Sequence, residues 1–481
     1  MGRKQTKAQA SAEKRLRKAK HRKALAKSKS IVLPVIRTGT AGIDIGATEI
    51  FVAVSPDRDA EPVRCFASFT ADLQELTAWL RECGVTSVAM ESTGVYWIPL
   101  YQMLADSGIE VCLVNARHFQ NVPGRKTDVL DCQWLQYLHS VGLLRGSFRP
   151  EQVICAARTL LRHRQNLVQM AAEHVLHMQK SMEQMNLKLQ HVISDITGVT
   201  GLRIVDAIVG GERDPLVLAR LRHERIQASE EIIVKSLEGD YRPEHLVTLQ
   251  QSLEAWRFYQ GHMADLDRKI EEFMDGLPAK IDLSRHPLPK NWKQQKRQHN
   301  APAYDLRKYC YRAFGVDVTA IPGIAGTTAQ VLLTEVGPDL SKFRSAAAFA
   351  SWLTLCPHND ISGGKVLHAK TRKGSNRAAL ALRLGAQTLE RSETELGRFF
   401  RRMKGSLGRP EAITAVAHKL ARIFYTLVTT GKEYDEAVAV KASARLRNRE
   451  EAKLRRRAHA LGFQLLSLNG AVPSASANLV H

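Results

Sequence analysis

Residues 42–54, GIDIGATEIFVAV, decide the fold of the N-terminal third: they spell a strand, a tight glycine-bearing turn and a second strand. Asp44 lies between Ile43 and Ile45, so the two-residue period of a strand points its carboxylate away from the face those isoleucines bury. Working outward, Leu73 to Cys83 has helical spacing, Val85 to Met90 is a short apolar strand ending at Glu91, and Tyr96 to Ala105 returns as a helix. Glu110 to Val114 is a further strand and Thr127 to His139 a further helix. Strands and helices alternate throughout, which predicts an α/β domain with a mixed sheet.

Within this pattern four carboxylates stand out. Glu91 follows an apolar strand at its C-terminal end, the edge along which open α/β sheets form ligand crevices. In the segment KTDVLD, Asp128 and Asp131 are three residues apart on a predicted helix and share a face. Taken singly, an Asp in a strand or a DxxD on a helix is ordinary. As an ordered set, Asp44, Glu91, Asp128 and Asp131 offer the all-oxygen environment that Mg²⁺ prefers. Gathered without a cation, they would repel one another and raise each other's pKa values.

From Arg158 to Leu189 the pattern changes to one long helix. Leu160, Leu167, Ala171, His174, Met178, Met182, Met185 and Leu189 recur at three- and four-residue steps, the seam of a coiled-coil arm, antiparallel or dimeric. Residues 200–318 are polar and helical in composition, interrupted by a Pro- and Lys-rich stretch between Leu283 and Pro302. A mostly helical domain is expected from Ile321 to about Val440. The predicted boundaries are a basic tail over 1–37, the α/β domain over 38–149, the arm with an insert over 150–318, the C-terminal domain over 319–440 and a second basic tail over 441–481.

The C-terminal domain opens with IPGIAGTTAQVLLTEVG, where a turn from Gly323 to Gly326 precedes a helix and offers backbone N–H groups to a phosphate. Next comes FASWLTLCPHNDISGGKVLHAKTRKGSNRAALALRL. Ser362 precedes two glycines, which let a phosphate approach the backbone closely. Lys365, Lys370, Arg372, Lys373 and Arg377 follow with no acid among them. Spacing alone makes Ser362 a turn serine; the basic run around it points to nucleic acid, not to nucleophilic attack.

Composition agrees with a polyanionic partner. The 481 residues carry 70 Lys and Arg against 48 Asp and Glu, a net charge of +22. Half of that excess lies in the first thirty residues, where twelve Lys and Arg face only Glu13. Such a balance favours binding to nucleic acid, because each neutralised phosphate releases counterions. No apolar run is long enough for a membrane span, and the basic N-terminus lacks the apolar core of a secretory signal. The seven cysteines include no C-x-x-C pair, which argues against a disulfide framework or a zinc site and for reduced thiols in the cytoplasm.

Several blocks resemble the DEDD transposases of bacterial insertion sequences. GIDIGATEI, ESTGVYWIPLY, LVNARHFQNVPGRKTDVLDCQWL and HSVGLLRGSFRP resemble that family's RuvC-like domain, of ribonuclease-H fold. The serine-bearing block and the later RPEAITAVAHKLARIFYTLV resemble its second domain. The resemblance implies catalytic and Mg²⁺-binding roles for Asp44, Glu91, Asp128 and Asp131, a nucleophilic role for Ser362 and phosphate contacts at Arg125 and Lys126. It further implies a phosphoserine intermediate with donor and target DNA, guidance by a structured RNA encoded in the mobile element, and a dimer or tetramer whose composite site draws the acids and the serine from different subunits. The basic N-terminal tail and residues 225–318 are longer than a minimal family member requires. Two other readings remain open: a junction endonuclease that uses water at the acidic cluster, and a non-catalytic nucleic-acid-binding protein.

Overall fold

The structure, a computed structural model, describes residues 33–92, 94–115, 128–289, 300–372, 374 and 376–464. The chain divides into two compact units, one ending at Arg149 and the other beginning at Pro150.

The first unit holds a five-stranded sheet: β1 (Thr40–Ile45), β2 (Glu49–Val54), β3 (Val63–Ala67), β4 (Ser87–Glu91) and β5 (Glu110–Val114), in the spatial order β3-β2-β1-β4-β5. β1, β2 and β3 pair antiparallel, whereas β1, β4 and β5 run parallel. This is the mixed sheet that the alternation predicts, with the ribonuclease-H-like architecture that the resemblance implies. The hairpin turn is closed by Gly46 N–H donating to the Glu49 carbonyl at 2.9 Å. A Cβ on Gly46 would sit 2.7 Å from that same oxygen, so the tight turn requires glycine there.

Helices α1 (Thr70–Glu82) and α2 (Trp97–Asp106) cover one face of the sheet. There Ile43, Ile45, Ile50, Val52, Val88 and Met90 pack against Leu76, Leu80, Leu100 and Leu104. Helix α3 (Asp128–Ser140) covers the other face, where Ala89 and Val114 meet Leu135 and Leu138. Strand β3 was not legible in the sequence. Its residues VRCFA do not alternate cleanly, and Arg64, the second of them, lies over the Trp79 ring at 4.8 Å. Pairing with β2 makes it a strand, not its own pattern.

In the last turn of α3, buried His139 accepts or donates a hydrogen bond with Ser87 Oγ at 2.8 Å. Burial, with the positive charge of Arg37, holds the imidazole below its ordinary range. Because the folded pKa is depressed, this neutral histidine contributes stability that is complete above the ordinary value of ~6.5 and is lost as pH falls below it. We expect the denaturant midpoint of the N-terminal unit to drop between pH 7.5 and 5.5, and His139→Gln to flatten that dependence.

The second unit is largely helical. Its long helices α4 (Gln152–Gln184) and α9 (Pro243–Asp275) flank α5 (Leu189–Val192), α6 (Val199–Val209), α7 (Pro215–Arg220) and α8 (Glu230–Leu237). α10 (Leu306–Phe314), α11 (Gly326–Val336) and α12 (Ala346–Trp352) follow, then strands β6 (Pro357–Ser362) and β7 (Lys365–Thr371). α13 (Arg377–Thr388), α14 (Glu395–Leu407), α15 (Arg409–Thr430) and α16 (Glu436–Ala460) complete it. Among the described residues no helix is long and apolar enough to cross a membrane.

The predicted seam on α4 is filled from within the chain. α4 and α9 pack antiparallel: Arg164 meets Asp267, and further along α4 Ser181 meets Thr248 at 2.9 Å. Leu167, Ala171, Met178 and Met182 are buried against Leu249, Leu253, Met263 and Ile270. The stripe therefore describes an antiparallel helical hairpin and does not by itself argue for a dimer.

One buried ion pair crosses this hairpin. The Arg164 guanidinium donates to both carboxylate oxygens of Asp267 and, through Nη1, to the Asn300 carbonyl, while Ala303 N–H also donates to Asp267. Removing one partner strands a buried charge, so Arg164→Ala should cost about 3–5 kcal/mol in urea unfolding. Replacing both (Arg164→Met with Asp267→Leu) should recover most of that loss.

Aromatic packing forms the core of the C-terminal part, with Phe424 of α15 5.2 Å from Phe314 and 6.0 Å from Phe349, centroid to centroid. Two features depart from the sequence expectation. A β-ribbon interrupts the predicted helical domain, and the basic stretch after Val440 continues as helix α16 instead of forming a tail.

Candidate active site

The acidic set is best understood from Gly42. A Cβ there would lie 2.1 Å from the Cys132 carbonyl oxygen and 2.3 Å from the Gln136 nitrogen, so only glycine lets α3 lie this close to β1. Asp44 is two residues further along the strand and therefore points to the same, α3-covered face. On the neighbouring parallel strand, Ala89 packs toward α3 while Val88 and Met90 pack toward α1 and α2. The same alternation turns Glu91 to the α3 side. The register pairs Ile43 with Met90, which sets Asp44 and Glu91 one step beyond, at the C-terminal edge of adjacent strands. α3 begins at Asp128 and carries Asp131 one turn in. Its first turns therefore approach β1 at this edge.

Cys132 reports on this neighbourhood electrostatically. Burial pushes its thiol up to about 12, and the negative charges of Asp44 and Asp131 add to the rise. The thiol donates to the Val129 carbonyl at 3.1 Å. Asp44, Glu91 and Asp131 are all half-buried at this edge. The side chain of Asp128, with Arg125 and Lys126, lies outside the described residues.

The carboxylate donors fit a hard divalent cation in kind, since they bring oxygen alone and the one nearby sulfur is held protonated. Among the described residues no three acidic, histidine or cysteine side chains gather closely enough to hold a metal as they stand. Asp44 and Glu91 come from rigid adjacent strands, and Asp131 from the helix packed on them.

Ser362 is the last residue of β6 and pairs in register with Lys365, the first of β7. Gly363 and Gly364 between them have φ of +56° and +78°, the pair of positive values that a two-residue type I′ hairpin turn needs. Among the described residues no atom beyond the chain neighbours lies within 4 Å of a Cβ built on either glycine, so their role is conformational. Ser362 is exposed there, beside exposed Ile361, Val366 and Leu367. One extra residue, Leu367, bulges β7 where the register shifts opposite Asp360 and Ile361, which twists the ribbon. The sequence "S-G-G-K" carried the signal for this hairpin.

The basic residues divide. Lys365, Lys370 and Arg372 are exposed on the ribbon, and Arg372 lines a small cavity at its base with Thr354, His358 and Asn359. Arg377, by contrast, is half-buried and donates to Gln165 on α4, so it ties the serine-bearing part to the arm. Lys373 lies outside the described residues. The expected turn at Gly323–Gly326 caps α11 without any side-chain acceptor and borders a cavity of about 950 Å³ lined also by Thr327, Thr328 and Arg307. Gly323 has φ +90°, and the close approach of Gly385 to its carbonyl packs the turn on α13. Sequence reasoning had not singled out Gly42, although an isolated glycine inside an apolar strand signals close backbone approach.

Comparison with known proteins falls on two stretches of the chain. Residues 41–187 match a family described as Transposase, of the IS110 DEDD type, and residues 317–401 match the family described as Transposase IS116/IS110/IS902. A protein of Sinorhizobium fredii (strain NGR234), y4pF/y4sB, whose name classes it with the transposases, is 35% identical over 124 residues. That alignment covers 24% of this chain and 32% of the relative, so the chain spans about a third of the length of the relative it matches. The first match takes in Asp44, Glu91, Asp128 and Asp131, and the second takes in Ser362. The two matches fall in this order on one chain, and both name transposases of the IS110 group.

Proposed function

We propose that the protein is a DNA strand-transfer enzyme that moves an insertion sequence, with Ser362 as nucleophile and Asp44, Glu91, Asp128 and Asp131 as the holders of Mg²⁺. One observation carries this reading: both family domains are present, the first with acids at one sheet edge, the second with a serine at an exposed tip that a phosphate can reach.

In this reading Ser362 Oγ attacks a DNA phosphorus. A bond forms between serine oxygen and phosphorus as the bond to a sugar oxygen breaks. The serine proton ends on that departing sugar hydroxyl. Strand transfer reverses the step, when a sugar hydroxyl from a new end attacks the phosphoserine and Ser362 regains its proton. Asp44, Glu91, Asp128 and Asp131 would hold Mg²⁺, which would supply charge stabilisation to the phosphoryl oxygens. Lys365, Lys370 and Arg372 lie on the same ribbon as Ser362 and would grip the phosphates on either side of the reacting one. Arg125, Lys126 and Lys373 are proposed phosphate contacts on sequence grounds alone. Donor and target DNA are the substrates, and a structured guide RNA from the same element selects them. The composite site is assembled in a dimer or tetramer.

The decisive test traps the intermediate. The full chain, element-encoded RNA, Mg²⁺ and DNA bearing the element's ends are quenched during reaction, and the adduct is digested and located by mass spectrometry. A nucleotide-bearing peptide containing Ser362 is expected. DNA cleaved with no protein adduct would instead favour an endonuclease that uses water at the acidic edge.

A further inference from the structure

Helix α16 is an unusual element for a folded protein. It runs 25 residues, yet none of its described side chains is buried, and even Val438 and Leu454 are exposed. Among the described residues it is tied to the body at its start. Glu395 N–H donates to Glu436 at 2.6 Å, Tyr434 OH donates to the other oxygen of that carboxylate at 2.5 Å, and Ser443 bonds Glu395. Beyond Ser443 the helix presents about four turns to solvent.

Its charges are ordered. Lys441, Arg445, Arg449, Lys453 and Arg457 recur every fourth residue, so they form one row with a step of ~6 Å and a sweep of about 160° around the axis. Arg456 falls in the same arc. The helix's three acids, Glu436, Glu450 and Glu451, lie outside it. Two of them engage in exposed pairs, Glu451 with Arg455 at 2.6 Å and Glu450 with Lys453 at 3.4 Å. Such exposed pairs contribute little. Like charges four apart on a helix repel, and four successive repulsions disfavour this helix on its own. A helix polar on every side also has no core to hold it. A polyanion along the row would relieve both problems.

We infer that α16 is a docking element for duplex DNA, separate from the serine ribbon and the acidic edge. An α-helix with its side chains is ~10–12 Å across and enters the ~12 Å major groove of B-form DNA, whereas the A-form major groove of duplex RNA is too narrow to admit side chains. The row's ~24 Å length and regular step suit the backbone that borders such a groove. Arg447 and Arg455 lie off the row and do not face the same strand.

The test is binding of the full chain to a labelled 30-base-pair DNA of arbitrary sequence in EDTA, so that no chemistry intervenes and failure of the strand-transfer reading leaves it intact. The slope of log K against log salt is measured for Arg445→Gln/Arg449→Gln and for Arg447→Gln/Arg455→Gln. Glutamine preserves helix propensity, and circular dichroism checks the helix. The row variant should lose about 1.8 from the slope, at ~0.9 per phosphate contact, and the off-row variant almost nothing. An unchanged slope in the row variant, or equal losses in both, would overturn the inference. So would a loss seen with duplex RNA but not DNA, or a row variant that changes oligomeric state while binding DNA normally.

Discussion

Ser362→Ala is expected to lose strand transfer by at least about 10⁴-fold, because losing a nucleophile leaves only binding and charge stabilisation to act. The variant should fold as well as the native chain. Ser362 is exposed at the ribbon tip, and the positive φ values that shape the turn belong to Gly363 and Gly364. Its retained affinity for DNA and unchanged melting temperature, set beside the vanished covalent adduct, separate a chemical role from a structural one. Gly363→Ala is the informative companion. It places a Cβ on a residue held at φ +56°, so it should distort the tip and depress activity while Ser362 itself is intact. A Ser362→Ala protein that still cuts and rejoins DNA at native rates would remove the serine from the mechanism.

Asp44→Asn should have the next largest effect, a loss of roughly 10²–10³-fold or more, the scale set by deleting one preorganised electrostatic contact in an active site. Activity alone does not separate loss of metal from loss of fold, so a second readout is needed. Mg²⁺ that binds only the folded protein stabilises it by about 2.7 kcal/mol at a hundredfold excess over Kd. The native chain should therefore melt at higher temperature as Mg²⁺ is added, and Asp44→Asn should lose that response while melting normally without metal. Asparagine keeps the size of the side chain and does not disturb Gly42, whose contact with α3 holds the helix on the strand. An Asp44→Asn chain mixed with a Ser362→Ala chain should regain activity if the two groups come from different subunits, as the proposed composite site would require. If Asp44→Asn keeps both its Mg²⁺ response and its activity, the acidic edge is not the metal site.

The two units differ in how much of their function was legible beforehand. In the first, short-range pattern was enough to single out the candidate carboxylates. Alternation around Ile43 and Ile45 gave the direction of Asp44, the apolar run ending at Glu91 gave the strand edge, and the DxxD spacing gave a shared helical face. Strand β3 was invisible because its identity depends on a partner strand and not on its own residues. In the second unit, the α4 stripe announced a helix with one apolar face but could not say what would cover that face. Packing onto α9, through Arg164 and Asp267, was settled by residues a hundred positions away.

By itself, then, the chain's order of residues determined local periodicity, the carboxylate set, the serine before its glycines and the excess of positive charge. Those are properties of neighbours, and a strand or helix period reports them directly. Tertiary structure alone decided that α3 lies on β1 through Gly42, that Arg377 serves the arm, that Ser362 stands at the open end of a ribbon, and that the basic stretch after Val440 is a free helix. Each of these depends on which distant surface fills a given space, and contacts between remote segments carry no period along the chain.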